Sequence, residues 1–459
     1  MFTKSVGTMP PETSNISAQF DSIAVNSIRK TLPDKVILDA CHQSGYQYRR
    51  RLISPVLTVL HMIVAAIWPE ESFAASWQLL WTSFAAIFPA AAARSPSHGT
   101  VSNARKRLPL EVWEKIVAWL SQHGQACSEE HDKWRGHRLV AVDGTCASLQ
   151  DTEELRAAFG VPRGYRGVHR YPLLRMVCII LAETMIAIDY RVGGYKTSEK
   201  ALLEPMLKTL RKGDLLLADR HFAGSNLYWL YQSQGLEYLT PVHQKLIVSR
   251  LKIQWSYGKN DFVAKLKIGD SYRRKNPDMP KYVNARFIQV EARIRGKYKR
   301  IWLVTSLLDA DKYPANEMAG LYARRWRIET LFRRFKVEIS ADVLRSKSPD
   351  AVYKEVAARI CAINIVSTIM LEAATANNVD VLRISFIDAI RTIIVFAPLL
   401  AIRPLELLAA TYARMLFEIA ERQVPLRQGR LEPRKLKYCK RHYPPLRTTR
   451  AMWRTEYAA

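Results

Sequence analysis

Apolar residues follow two different periods along this chain, and the change between them divides it. Up to about residue 125 they recur at helical spacing, interrupted by basic clusters at Tyr48-Arg49-Arg50-Arg51 and Asn103-Ala104-Arg105-Lys106-Arg107. From Arg138 short continuous apolar runs take over. Leu139–Val142 ends at Asp143-Gly144-Thr145, and strands are expected at Leu173–Ala182 and Met185–Val192, then a helix over Ser198–Leu210. After Lys212-Gly213-Asp214 comes a second buried-type run, Leu215–Ala218, which ends at Asp219-Arg220-His221-Phe222. A helix from Ser225 to Gln234 and a strand around Tyr238 follow. Strands first, then strand and helix in alternation, predict a mixed α/β sheet.

Residues 243–300 break that rhythm with alternating patches such as Phe262–Lys267 and Arg286–Glu291, which read as a β-rich insertion. The sheet resumes at Ile301-Trp302-Leu303-Val304-Thr305. Beyond it Ala351–Glu372 and Ile384–Glu421 are helical and apolar, with breaks expected at Pro398 and Pro404, and Arg422–Arg454 is a basic tail. The resulting division is a helical domain (1–130), a first part of the mixed sheet (131–242), the β-rich insertion (243–300), a second part of the sheet domain (301–375) and a helical, then basic, C-terminal region (376–459).

One helix stands out. Over Tyr322–Lys336, at about 100° per residue, Tyr322, Arg325, Glu329 and Lys336 share an arc of roughly 60°. Leu321, Ile328, Phe332 and Phe335 form the apolar stripe beside them, and Arg327 and Arg334 point to solvent. A single carboxylate flanked by cations suits a metal-binding acid presented to a phosphate backbone; a plain amphipathic helix gives the same pattern.

Charge narrows the partners. Lys and Arg total 69 against 42 Asp and Glu, a formal net charge of +27. Such a surplus calls for a polyanion, nucleic acid first, because neutralising phosphates releases condensed counterions. The turn and cationic helix over 97–107 would suit DNA contact through Arg105 and Lys106, or be a solvated basic helix. Six scattered cysteines suggest neither a zinc site nor a disulfide framework and fit a reducing cytosol. The N-terminus lacks a signal-peptide pattern. Val56–Trp68 is too short for a membrane span and Phe73–Ala93 carries polar residues, so both read as buried helices and no membrane partner is expected.

Asp143 and Asp219 each follow a short apolar strand, so both carboxylates can converge at strand ends of one sheet. With Glu329 from a packed helix, three oxygen donors could hold a pair of Mg²⁺ ions, Mn²⁺ being a substitute, and clamp the oxygens of an in-line phosphoryl displacement. An Asp-Gly that merely caps a turn is the alternative for either aspartate alone.

At these positions the sequence resembles the DDE transposases of bacterial insertion sequences, the group marked by a Tyr, Arg, Glu, Lys signature. Tyr322, Arg325, Glu329 and Lys336 match its spacings, and the resemblance extends to DGTCASLQDTEELRAAFG from Asp143, LLLADRHF through Asp219, YARRWRIE, and VPLRQGRLEPRKLK from Val424. It implies an RNase H-like mixed sheet with flanking helices in which Asp143, Asp219 and Glu329 are the catalytic acids and metal ligands. Tyr322, Arg325 and Lys336 would grip phosphates of the element end. Trp302 matches a tryptophan on which a flipped base stacks; a core tryptophan on a strand is the other reading of it. Arg220, His221 and Arg333 are secondary candidates for phosphate contact. The implied activity is cut-and-paste transposition in the bacterial cytoplasm by a homodimer, acting on double-stranded terminal inverted repeats and target DNA. The alternative is a catalytically silent or domesticated transposase that only binds DNA.

Overall fold

The computed structural model describes residues 26–49, 53–68, 72–87, 95–129, 131, 133–162, 171–243, 246–294, 297–338, 342–402, 405–425, 452 and 455. The chain forms two compact units, residues 1–127 with 334–425, and residues 128–333 with 426–459.

The second unit is built on a single mixed sheet. Its strands are β1 (Lys133–Trp134), β2 (His137–Ser148), β3 (Leu173–Leu181), β4 (Ala187–Gly194), β5 (Leu215–Ala218), β6 (Glu237–Pro241), β7 (Lys252–Gly258), β8 (Asp261–Lys267), β9 (Tyr282–Ile294) and β10 (Lys297–Thr305). They lie in the order β4-β3-β2-β5-β6-β10-β9-β8-β7, with β1 beside β2. An antiparallel β2-β3-β4 meander is continued by β5 and β6 in parallel, which is the RNase H-like arrangement expected. The β-rich segment is present as β7–β9, and it extends the same sheet through the shared strand β10.

Burial on both faces explains why β5 was legible: all four of its residues are fully buried, as a central parallel strand requires. Its start is fixed by Asp214, 2% exposed, which accepts from Arg138 Nε and Nη2 at 2.9 and 2.6 Å and from the Arg211 N–H at 2.8 Å. That paired charge ties the beginning of β2 to the beginning of β5. A second buried pair secures the added strands: Arg286 on β9 donates to Asp261 at 2.7 and 2.5 Å and to the Tyr313 carbonyl at 2.8 Å. Leaving either partner alone would strand a buried charge, so both pairs fix register more than they add net stability.

β4 ends against backbone. A Cβ on Gly194 would stand 2.7 Å from the Phe159 carbonyl oxygen. Gly194→Ala is therefore expected to destabilise the protein by about 1–3 kcal/mol, seen as a lower urea midpoint, because main chain has no rotamer with which to yield. An unchanged midpoint would show that this contact relaxes freely.

The first unit is helical. Its central helix, Pro349–Ala376, packs on Leu110–Cys127, Pro55–Ile67 and Leu405–Glu421. Among the described residues it alone is long and apolar enough to cross a membrane, and 94% of its most apolar 18-residue window is buried inside the protein. Every residue of Pro55–Ile67 is buried as well. Within the central helix Glu355 pairs with Arg359 at 2.9 Å and accepts the Ser346 N–H at 2.9 Å. Burial raises its carboxyl, yet Arg359 and these donors hold it below the usual range.

Three expectations are corrected. β2 does not stop at Asp143-Gly144; it runs on to Ser148 because residues 143–148 pair with β3 from Cys178 back to Leu173. Pro398 does not end its helix but lies inside Phe386–Ile402; Pro404 and most of the basic tail fall outside the described residues. The stretch from Tyr322 to Lys336 is not one helix. An α-helix at Ala315–Ala323 gives way to another at Trp326–Arg333, and Arg334–Glu338 is a π-turn.

Candidate active site

Register brings the two aspartates together. In the parallel β2–β5 pair Val142 lies opposite Ala218, so Asp143 and Asp219 are the next residues on neighbouring strands, which stand about 4.8 Å apart. Each carboxylate is aimed by a local backbone donor. Asp143 Oδ1 accepts the Gly144 N–H at 2.7 Å, and Asp219 Oδ1 accepts the His221 N–H at 2.7 Å, capping the 3₁₀ turn Arg220–Phe222. Burial pushes the Asp143 carboxyl up to about 6; the Gly144 N–H and Arg325 oppose this, while the charges of Asp219 and Glu329 add to it. Three acids are thus near enough to repel.

Arg325 answers that repulsion. Its guanidinium donates to Asp143 Oδ2 at 3.2 Å and to Glu329 Oε1 at 2.7 Å, spanning an acid on the sheet and an acid on the helix. It sits 5.9 Å from the ring centre of Tyr322. The Tyr322 phenol is pushed up to about 12 by burial, against the pull of Arg325 and with the charge of Asp219. This convergence depends on the break before Trp326. There the backbone bonds Arg325 N to Tyr322 O, Arg327 N to Arg324 O and Ile328 N to Arg325 O run three residues back instead of four. Glu183, in the turn between β3 and β4, holds the break in place through ion pairs with Arg324, at 2.7 Å, and Arg327. Arg327 is therefore not the solvated cation expected.

The other candidates are distributed. Arg220 and His221 are exposed beside Asp219, and Arg333 is exposed at the end of the Trp326–Arg333 helix. Lys336 is half-buried in the π-turn. Trp302 is partly buried and packs edge-on to Phe262, ring centres 5.5 Å apart, on the fringe of the sheet's apolar core. Arg105 turns inward, its guanidinium 3.7 Å from the Phe73 ring centre, whereas Lys106 is exposed. Arg334, expected in solvent, is 4% exposed and stacks on Phe386 at 4.4 Å. A π-turn advances each residue by less than 100°, which swings it off the face assigned by an α-helical wheel.

Two neighbours of the site were missed. The Glu199 carboxylate lies against Gly144, where a Cβ would meet it at 2.4 Å, and stands 3.7 Å from His221 Nε2. A glycine inside a strand was the available signal for such a close approach. Lys200, lowered by burial, is near enough to Asp219 to be drawn back up by its charge.

As a cation site the donors fit in chemistry: Asp143, Asp219 and Glu329 are oxygen ligands suited to a hard divalent ion, and two of them already share one positive group. Among the described residues no three His, Cys, Asp or Glu side chains are gathered at ligand spacing, and Arg325 stands between two of the acids.

Parts of this chain are similar to known proteins. The family described as the transposase DDE domain matches residues 134–365, just over half of the chain. The transposase InsG of insertion sequence element IS4 from Escherichia coli K12 is 29% identical over 278 residues, 60% of this chain and 61% of InsG. InsZ of the same strain is 26% identical over 140 residues, 30% of this chain and 47% of InsZ. The chain thus spans less than two thirds of either relative. A piggyBac transposase synaptic complex with hairpin DNA aligns over 85% of this chain and 81% of that one, at 12% identity and a TM-score of 0.41.

Proposed function

This chain belongs to the transposase DDE-domain family, and on that premise we propose that it catalyses cut-and-paste movement of an insertion sequence by metal-dependent phosphoryl transfer at Asp143, Asp219 and Glu329. The observation that carries the proposal is the meeting of Asp143 and Asp219 at adjoining positions of β2 and β5, joined to Glu329 by one arginine.

The three carboxylates would hold Mg²⁺, with Mn²⁺ as substitute, and the bound ions would stabilise charge on the attacking and leaving oxygens. The chain's own residues do the positioning. Gly144 and His221 N–H groups fix the two aspartates. Arg325, which now bonds Asp143 and Glu329, would turn to a phosphate of the element end together with Tyr322; Lys336 would contact phosphate of that end as well, and exposed Arg220, His221 and Arg333 would offer further donors to the strand. Trp302 serves as the stacking platform for a flipped base only if its partly buried edge opens. End cleavage would then proceed by attack of water on one strand, which frees a 3′-hydroxyl on the element and leaves a 5′-phosphate on the flank; attack of that hydroxyl on the opposite phosphodiester, which forms a hairpin and releases the flanking strand's 3′-hydroxyl; and attack of a second water on the hairpin, which restores the element's 3′-hydroxyl for later transesterification into target DNA, where it displaces a target 3′-hydroxyl. Two protomers would each hold one end.

The test incubates the full chain with a duplex bearing a candidate element end and Mg²⁺ and resolves the products. Hairpins that form and then open are expected. Nicks without hairpins remove the hairpin step, and binding without any cleavage favours a silent DNA-binding protein.

A pH dependence accompanies this. Ligation needs the Asp143 carboxylate, whose proton is held up to about 6 without metal, above its ordinary value near 4. Deprotonation is complete only above that value, so Mn²⁺ affinity should rise with pH through about 6, and the midpoint should move lower as Mn²⁺ competes with the proton. Titration of bound Mn²⁺ by electron paramagnetic resonance measures it; affinity flat from pH 5 to 7 would contradict the assignment.

A further inference from the structure

Beside the acids the second unit carries a cleft of about 720 Å³ with a one-sided lining. Five cations, Lys200, Arg250, Lys252, Lys265 and Lys267, face it, and among the described residues no Asp or Glu lines it. Among the described residues Lys200, Arg250, Lys252 and Lys265 form no ion pair, and Lys267 has only Asp270 at 3.4 Å. Cations crowded into one concavity repel each other, and the single ion pair at Lys267 and the nearby charge of Asp219 at Lys200 leave a positive surplus that favours an anion.

The cleft also offers rings. Tyr272 and Tyr282 line it and are 47% and 45% exposed, large for aromatics that could have packed on the adjoining core. Cations that track phosphates, alternating with rings that accept a base face, are the two components of single-strand binding. A paired duplex hides its base faces and could use only the cations.

Position ties this cleft to the chemistry. Its floor begins at Ala223-Gly224-Ser225, directly after the turn that Asp219 caps, and Lys200 belongs both to its lining and to the surroundings of Asp219. We propose that this cleft binds an unpaired stretch of DNA strand leading away from the carboxylates, its phosphates on Lys200, Arg250, Lys252, Lys265 and Lys267 and its bases on Tyr272 and Tyr282. The proposal rests on the transposase function for the source of that strand, since a strand cut or frayed at an element end must leave the acids by some route.

The test measures binding alone. A labelled single strand of about 12 nucleotides, a length within the range of known single-strand sites, is titrated into the full chain without metal, by anisotropy at several salt concentrations, beside the duplex of the same sequence. Lys252→Ala with Lys265→Ala should weaken the single strand at least tenfold and flatten its salt slope by about 1.4, the loss of two phosphate contacts. Tyr272→Ala with Tyr282→Ala should weaken it at least about fivefold and leave the salt slope alone. Duplex affinity should be insensitive to the tyrosine change, and a photoreactive thymidine in the single strand should crosslink to peptides containing Tyr272 or Tyr282. Unchanged single-strand binding in both double variants, or equal tyrosine effects on strand and duplex, would overturn the proposal. Failure of end cleavage with these binding results intact would count against the transposase function and leave the cleft standing.

Discussion

Asp143→Ala, Asp219→Ala and Glu329→Gln are each expected to lower end cleavage by at least about a thousandfold while DNA affinity stays within about threefold of wild type. The asymmetry follows from where the groups lie. Asp143, within β2, and Asp219, directly after β5, take adjoining positions of the parallel pair, and Glu329 is joined to Asp143 through the Arg325 guanidinium. In the proposed function each acid would supply oxygen to the reacting centre, so its loss would act on the transition state. DNA binding instead draws on a chain of net charge +27, to which removing one carboxylate adds a single positive unit. Denaturing gels of an end duplex give cleavage, and mobility shifts give affinity. Near-normal cleavage by any of the three variants would strip that residue of its role.

Arg325→Ala and Arg334→Ala should fail in opposite ways, although only nine positions separate the two arginines. Arg325 donates to both Asp143 and Glu329, so its removal would leave the acids without that shared cation and, in the proposed function, would take a phosphate contact from the strand. Cleavage should fall at least about a hundredfold with little change in the unfolding midpoint. Arg334 is buried and stacked on Phe386, and its stem fills space that alanine leaves open. Losing it should destabilise the chain by about 2 kcal/mol or more, and cleavage measured well below the melting temperature should stay within about threefold of wild type. Thermal melts beside cleavage rates separate the two. Equal loss of cleavage at equal stability would mean that both arginines work at the site.

Much of the frame was legible for a local reason. Leu215–Ala218 is apolar throughout because side chains on both faces of this central strand are fully buried, and Gly213-Asp214 and Asp219 punctuate its ends. The alternating patches at Phe262–Lys267 and Arg286–Glu291 announced β8 and β9 through their period of two. The end of β2 was misjudged because Asp-Gly ordinarily turns, whereas here Gly144 stays in the strand with the Glu199 carboxylate against it. Gly144 itself signals a close approach, but nothing near it in the sequence says that the approaching side chain comes from residue 199.

By itself the sequence determined the residue types: a basic chain, two aspartates beside buried strands, a glutamate among cations, and the order in which they appear. These are local properties, written in hydrophobic period, charge and spacing. Only the tertiary structure decided that Asp143 and Asp219 share adjoining positions, that β7–β9 extend the same sheet, and that Glu183 holds a break in the segment carrying Tyr322, Arg325 and Glu329. Only there does Arg325 bridge two acids while Arg334 goes into the core. The reason is that pairing between distant strands and ion pairs between distant loops depend on which backbones meet, and a helical wheel has no information about a 3₁₀ break or a π-turn imposed by such contacts.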